Sequence, residues 1–342
     1  MKHTDKILIC YNKPLLNYAN YSGKNSEEIN FASETEVKDN LDIIINNLSL
    51  YYNTINVLEV DTDIIDTIAK IKSFSPDICL NFVESINGNS QYESNFAGLL
   101  ELMDVKFTGN TFLTLATCLD KITAKHILNA NNIPTPKFSV KKAGGSEILI
   151  DNLNFPLIIK PALEDAGIGI SENSVVYTKD ELNKQIEYLD KLYKQDLLIE
   201  EYIDGREFNI SLLGNNILPI SEICFTLPNN LPDIVSYQAK WETESVYYKN
   251  TTPNVPADIS ANIEKLLTET AINTFNSLNC DSYARVDIRL SKNNIPYVID
   301  INPNPDIMPN SGFVNSAKAA GIGYSELFHN ILTFAKYRNS DD

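Results

Sequence analysis

Histidine is almost missing from this 342-residue chain: His3, His126 and His329 are all it has. A Ser-His-Asp site or a histidine-rich metal centre therefore has little material. The five cysteines (Cys10, Cys79, Cys118, Cys224 and Cys280) are scattered and form no CxxC pair. That spacing speaks against zinc and against a disulfide framework, and fits free core thiols in a reducing cytoplasm. No apolar run approaches a membrane span, and the opening MKHTDKILIC reads as the start of a strand rather than a signal peptide. Cations are scarce too, with 28 Lys and Arg against 45 Asp and Glu and a formal net charge of −17. Such a surface argues against nucleic acid or an anionic membrane as a bulk partner. A protein this acidic that handles a nucleotide must gather its few cations in one place.

What is present is ordinary for a globular protein, 43% hydrophobic and 21% charged, and long enough for two or three subdomains. KILIC (6–10), INVLEV (55–60) and PDICLNF (76–82) read as buried strands. Between the first two, Val37, Leu41, Ile44 and Leu48 fall at helical spacing behind a capping-box pattern, Ser33-Glu34-Thr35-Glu36. Residues 1 to about 115 thus read as a small βαβ unit with a parallel sheet. A helix near 118–131 is stopped by Asn132-Ile133-Pro134-Thr135-Pro136. FPLIIKP (155–161) is a strand, followed by the glycine loop EDAGIGI (164–170), a helix over 179–193 and the strand DLLIEEYI (196–203). Asp204-Gly205 then reads as a turn into EFNISLLG (207–214), forming a hairpin. The polar segment 228–258 is too long and irregular for an ordinary connection and suggests a functional loop. Helices near 259–278 and 313–337 complete the pattern.

The most informative stretch is YARVDIRLSKNNIPYVIDINPNPD, residues 283–306. A hairpin turning at Asn293-Asn294 places Ala284, Val286, Ile288 and Leu290 on an apolar face with Tyr297, Ile299 and Ile301. Arg285, Asp287, Arg289, Asp300 and Asn302 go to the other face. The same register sets Asp287 opposite Asp300 and Arg285 opposite Asn302. Facing carboxylates are destabilising in a plain ladder, but with an amide oxygen they are the hard ligands Mg²⁺ takes. A solvated polar face is the bland alternative; the opposed aspartates and the arginine favour a metal-phosphate site. Lys160 ends a strand just before Gly167 and Gly169, where loop N–H groups can cradle phosphate, although taken alone a surface lysine beside a plain turn is the stronger reading. Lys121 and Lys125 read most simply as a solvated helix face. Glu200, Glu201 and Glu207 suit an adenine edge and a ribose, or an ordinary surface. Lys240 lies in the long loop with the single tryptophan, Trp241, which either closes over a ligand or anchors the loop.

Taken in order, these segments resemble the ATP-grasp ligases, specifically the D-alanine–D-alanine ligase family, over nearly the whole chain. LDKITAKHILNANNIPTP is similar to the family's DK…K…L…GIPTP segment, and FPLIIKPALEDAGIGI to its strand–lysine–proline–glycine-loop element. IEEYIDGREFNISLLG resembles its adenine and ribose segment, SYQAKW its YxAK(Y) loop, and the hairpin its R-[IV]-D…E-x-N-x-x-P pattern. The resemblance implies an α/β (two-layer α+β) ATP-grasp fold, with an N-terminal parallel α/β subdomain over 1–115 and ATP-grasp subdomains over 116–205 and 206–342. It also implies roles. Lys121, Lys160 and Gly167 would meet the nucleotide and its phosphates. Glu200, the backbone of Glu201, Tyr202 and Ile203, and Glu207 would hold adenine and ribose. Lys240 would contact the γ-phosphate, and Asp287, Asp300 and Asn302 would bind two Mg²⁺, with Mn²⁺ able to substitute. Arg285 would steady the reacting centre, and Ser311 would hold the second substrate's carboxylate.

The chain departs from that pattern in several places. Asp300 replaces the usual glutamate, Trp241 the usual tyrosine, and Asp306 the glycine whose N–H helps form an oxyanion hole. The first-substrate signature GGxSxExxVS is not intact in GKNSEEINFASETEV, where Glu34 and Glu36 are the substitutes, Glu36 reading better as a cap. Glu84, just past a parallel strand, is a further cleft candidate. The expected activity is ATP-dependent joining of a small carboxylate and an amine through an acylphosphate. Loading an acid onto a carrier-protein thiol or a specialised metabolite, and non-catalytic ATP binding, are the alternatives. A cytoplasmic homodimer without nucleic-acid or membrane partners is expected.

Overall fold

Apolar runs buried on both faces belong in the middle of parallel sheets, and β1 (His3–Asn12), buried from Ile7 through Asn12, takes such a place. The computed structural model describes residues 2–14, 32–145 and 148–338. The helices of the first unit are α1 (Ala32–Asp39), α2 (Leu41–Leu48), α3 (Ile64–Phe74) and α4 (Gln91–Leu102). Its strands β2 (Tyr52–Val60), β3 (Ile78–Phe82) and β4 (Lys106–Phe107) join β1 in the order β2-β1-β3-β4, all parallel. The helix expected through 37–48 is broken at Asn40, whose side-chain amide donates to the Glu36 carbonyl (2.8 Å) and competes with the helical ladder. Because α1 begins at Ala32, Glu36 lies inside a helix and does not cap one. Most of the GKNSEEINFASETEV segment, with the Glu34 side chain, lies outside the described residues.

Next come α5 (Phe112–Leu119) and α6 (Lys121–Ala130), where one helix was expected. Asp120 separates them because its carboxylate accepts from the N–H groups of Ile122 and Thr123 (3.1 and 3.2 Å) and so starts a new helix. A second sheet is antiparallel and consists of β5 (Phe138–Lys141), β6 (Leu157–Pro161), β7 (Val175–Val176) and β8 (Leu197–Glu201), ordered β5-β8-β6-β7. Helix α7 (Lys179–Tyr193) covers it through Leu182, Ile186 and Leu189.

The hairpin expected at Asp204-Gly205 does not form. β8 stays in the second sheet, whereas β9 (Gly205–Leu213) is the central strand of a third, with β10 (Asn216–Ile217), β11 (Ser221–Phe225), β12 (Thr251–Asn254), β13 (Tyr283–Ser291) and β14 (Pro296–Asn302). Asp204-Gly205 carries the chain between sheets, and β9 pairs with β13 from Gly205 onward. The polar segment 228–258 holds two short helices, α8 (Tyr237–Trp241) and α9 (Val246–Lys249), as well as β12. Helix α10 (Ala261–Ser277) packs on this sheet through Leu267, Ala271 and Phe275. The last expected helix is two, α11 (Gly312–Ala319) and α12 (Tyr324–Tyr337), parted where Gly321 takes φ +81°. Helix α12 returns to the first sheet, where Phe328 and Ile331 share a core with Ile7 and Leu80. Among the described residues no helix is long and apolar enough to cross a membrane.

The β13–β14 hairpin reaches its expected register by an unexpected route. Its loop has three residues, Lys292, Asn293 and Asn294, closed by the Ser291 N–H donating to the Ile295 carbonyl (3.0 Å). A bulge at Ile299 then restores the pairing, so Asp287 opposes Asp300 and Arg285 opposes Asn302. Beyond the bulge the faces swap, and Val298 (1% exposed) and Pro296 occupy the core side instead of Tyr297 and Ile299.

A Cβ on Gly205 would overlap the Leu290 carbonyl oxygen where β9 meets β13. Gly205→Ala is expected to destabilise the fold by about 2 kcal/mol or more, which a shift of the urea unfolding midpoint would measure.

Candidate active site

A carboxylate buried in an apolar interior stays ionised only if cations come with it. Glu200, fully buried on β8, has two: Lys160 from β6 at 2.8 Å and Lys125 from α6 as a short ion pair. Burial alone would push the Glu200 carboxyl up, but Lys125 and Lys160 outweigh it and hold the group below its usual range. Lys125 also donates to Thr135 Oγ1 (2.7 Å), whose hydroxyl donates to the Val298 carbonyl (2.8 Å) and so ties α6 to β14. Burial, and the like charge of Lys160, bring Lys125 below the ordinary lysine range despite Glu200. The solvated-face reading of Lys121 and Lys125 is therefore overturned, since both point inward and are 7% and 3% exposed.

One turn before Lys125, Lys121 bonds Asp165 of the glycine loop at 2.7 Å and reaches Asp300 of β14 at 3.5 Å. Burial would raise Asp300, yet Lys121, Lys160, Lys125 and Lys240 together hold it below the usual carboxylate range. Asp300 thus lies in the field of four lysines, with Lys121 the one in contact, in a protein with few cations to place.

On the same face of β13, Arg285 grips Asp287 by a fork of 2.7 and 2.9 Å, and Asn209 Nδ2 of β9 donates to the same carboxylate at 2.8 Å. The Asn302 amide oxygen accepts from the Asn304 N–H at 2.9 Å. Asp287, Asp300 and Asn302 form an all-oxygen set that suits Mg²⁺, which takes one or two carboxylates and leaves its remaining positions to phosphate and water. Among the described residues no group of three or more His, Cys, Asp and Glu is disposed to hold a metal alone.

The long loop closes over these groups. Ser236 starts α8 by accepting from the Ala239 N–H (3.2 Å), and the Tyr237 N–H donates to the Ile170 carbonyl (3.2 Å). The indole N–H of Trp241 donates to the Ala166 carbonyl (3.2 Å), so Trp241 fastens the loop to the glycine turn. Gly167 has φ +79°, and a Cβ there would stand 3.1 Å from the Tyr237 nitrogen, so only glycine permits this approach. Lys240 as a residue is exposed, but the protein atoms around its ammonium desolvate it and, with the nearby charge of Arg285, hold it below its ordinary range against the pull of Asp287, Asp300 and Asp165.

A second group of expected residues gathers where β8 passes into β9. The N–H of Glu201 donates to the Lys137 carbonyl and that of Tyr202 to Pro156 (both 2.9 Å), while the Glu201 carboxylate accepts from Asn154. Glu207, 5% exposed, is bonded by Arg289. Arg289 was grouped with the polar face of the hairpin, and nothing in the local pattern marks it as a partner of Glu207.

At the far end, Ser311 is tied into its own helix, where its hydroxyl accepts from the Val314 N–H at 3.3 Å. Asp306 accepts from the Met308 N–H (2.7 Å) and is raised by burial, in spite of that bond, Arg285 and Lys240. Glu36 is raised to about 7 by burial and by the charge of Asp306. Glu93, which the sequence reading missed, is pushed well above its ordinary value by burial, Glu84 and Asp165, opposed by a bond from Asn304 Nδ2 at 3.3 Å. An amphipathic helix hides such a residue, because its surroundings include Asn304, which is distant in sequence.

Comparison with known proteins fits this geometry. The model of the D-ala D-ala ligase C-terminus matches residues 128–333. A D-alanine–D-alanine ligase of Carboxydothermus hydrogenoformans is 32% identical over 82% of this chain and 87% of its own. An uncharacterized protein of Sinorhizobium fredii is 33% identical over 75% of this chain and 74% of its own. A solved D-alanine–D-alanine ligase of Bacillus anthracis in complex with ATP superposes with a TM-score of 0.73 at 25% identity, over 97% of both chains.

The raised Glu36 makes a prediction with a definite sign. Its folded value near 7 lies above the ordinary 4.5, so its ionisation weakens the fold as pH climbs from 4.5 through 7 and has no effect below. Glu36→Gln is expected to raise the melting temperature by about 2 °C at pH 8 and to leave it unchanged at pH 4, as thermal scans at both pH values would show.

Proposed function

Because the chain belongs to the D-alanine–D-alanine ligase family of ATP-grasp enzymes, we propose that it joins a small carboxylate to an amine with ATP, forming an amide and releasing ADP and phosphate. The observation that carries this reading is the convergence of Lys121, Lys160, Lys125 and Lys240 on Asp300, with Arg285 beside it. Each of these cations but Lys240 already has a carboxylate partner in the free protein, and a triphosphate with its Mg²⁺ would add the negative charge for Lys240 and the ion for Asp300.

In this scheme a carboxylate oxygen of the first substrate attacks the γ-phosphorus, and the bond to the bridging oxygen breaks to release ADP. The amine nitrogen of the second substrate then attacks the acyl carbon of the acylphosphate, loses a proton, and inorganic phosphate leaves with the C–O electron pair. The protein's contribution is placement and charge neutralisation. Lys160 and Lys121 hold the phosphates from the floor, and Gly167 lets the glycine loop come close enough for its N–H groups to follow them. Lys240 closes from the lid onto the γ-phosphate. Asp287, Asp300 and Asn302 would hold Mg²⁺, or Mn²⁺ in its place. That ion would offset charge on the transferring phosphoryl group. Arg285, kept charged by Asp287 and Asp300 in spite of burial, stabilises the oxyanion that forms when the amine adds. Glu201, Tyr202 and Ile203 line the adenine, Glu207 takes the ribose, and Ser311 meets the second substrate's carboxylate.

The acyl end favours substrates that are themselves amines. Glu36 and Asp306 press their charges on each other there, and a substrate ammonium would relieve both.

The test is ADP release over a panel of amino acids, with products identified by mass. Turnover that depends on an amino acid and yields an amide supports the proposal, and ATP binding without ADP release under any acceptor rejects it. Asp300→Ala and Arg285→Ala are each expected to lower turnover by about two to three decades with the fold intact. Near wild-type rates in either purified variant contradict the assigned roles.

A further inference from the structure

The nucleotide roles above leave Arg289, a buried cation beside Glu207, without a task. Arg289 stands directly opposite Glu207 in the β9–β13 register and is 4% exposed. Its Nε and Nη2 both donate to Glu207 Oε2, at 2.9 and 2.8 Å. Nη1 donates to the Tyr202 hydroxyl (3.3 Å) and to the Ile203 carbonyl (3.1 Å), and Nη2 also bonds the Asp233 carbonyl. The guanidinium lies 5.3 Å from the centre of the Tyr202 ring and 5.5 Å from that of Phe225. The Tyr202 hydroxyl donates in turn to the Asp233 carbonyl (3.0 Å).

An ion pair that merely neutralised Glu207 would need one of these contacts. Arg289 instead joins three segments: the exit of β8, the start of β9, and the stretch that leads into the lid. A planar fork with five donors is the side chain suited to such a junction, and lysine is no substitute for it. Both bonds to Glu207 land on one oxygen, which leaves Oε1 as the acceptor for a ligand. Burial would depress the Arg289 charge, but Glu207 and Tyr202 more than restore it, so the arginine is a permanent partner for the carboxylate.

We propose that Arg289 is the positioning residue for the sugar half of the nucleotide: it orients Glu207 Oε1 toward the ribose hydroxyls and locks the 202–203 crossing to the root of the lid. Arg289 thereby sets ATP affinity and the preference for ribose over 2′-deoxyribose. The inference rests on the placement of Glu207 at the ribose. A fixed, desolvated carboxylate discriminates well against a sugar that lacks a hydroxyl, because the deoxy analogue leaves the acceptor unpaired. A carboxylate free to turn finds another donor or water and discriminates poorly.

Steady-state kinetics with ATP and with 2′-deoxy-ATP test this in the full chain, comparing wild type with Arg289→Lys, Tyr202→Phe and Glu207→Gln. Arg289→Lys is expected to raise KM for ATP about tenfold, to keep kcat within about twofold, and to bring the ATP to 2′-deoxy-ATP ratio of kcat/KM close to one. Tyr202→Phe removes a single partner of the fork and is expected to shift KM and the ratio in the same direction by about threefold. It carries the comparison if Arg289→Lys does not fold. Glu207→Gln separates the proposal from its premise. If that variant still turns over and keeps the wild-type ratio, Glu207 does not touch the sugar, and premise and proposal fall together. If Glu207→Gln loses the ratio while Arg289→Lys and Tyr202→Phe keep it and keep KM, the ribose placement stands and the role of Arg289 is overturned. A folded Arg289→Lys with reduced kcat and unchanged KM overturns it as well.

Discussion

Glu200 is the charge on which the site's geometry rests. It sits in the interior of β8 with essentially no solvent, and an ionised carboxylate there requires Lys125 and Lys160 in place. Lys125 brings α6 with it, and α6 brings Lys121, Asp120 and the turn onto Ala162. Lys160 fixes the end of β6 from which the glycine loop departs. A single buried anion thus sets the relative positions of a helix, two strands and the cations they carry. Without it, two ammonium groups would face one another in a low-dielectric space, and the floor of the cleft would separate.

The free protein accepts local repulsion as a consequence. Four lysines and Arg285 act on Asp300 and Asp287, and acids lie within reach of the same cluster: Asp306, which raises Glu36, feels Arg285 and Lys240, and Glu93 feels Glu84 and Asp165. With a net charge of −17, the chain has few cations to spare, and it gathers several of them at this one place.

The first, parallel sheet was legible in KILIC, INVLEV and PDICLNF because its buried strands carry continuous apolar runs, and the pairing of Asp287 with Asp300 was legible because a hairpin is a local object. Even there, Asp287 faces Asp300 only because a three-residue loop and the bulge at Ile299 compensate each other, which no turn rule for two residues contains. The β8–β9 hairpin failed as an expectation because local turn chemistry at Asp204-Gly205 does not say which sheet the next strand will join. Lys125, Glu93 and Arg289 were misread or missed for a common reason. Each looks like a solvated residue in its own element and acquires its role from a partner far along the chain, Glu200, Asn304 and Glu207 respectively. Breaks at Asn40 and Asp120 follow from side chains that bond their own backbone, a signal present in the sequence but weaker than the surrounding helical period.

Trp241 joins the long loop to the glycine turn by one bond, its indole N–H on the Ala166 carbonyl. It is also the chain's single tryptophan. Every photon of indole fluorescence from this protein therefore originates at the seam between lid and glycine loop, and the emission spectrum is a direct optical readout of whether that seam is dry and closed or open to water.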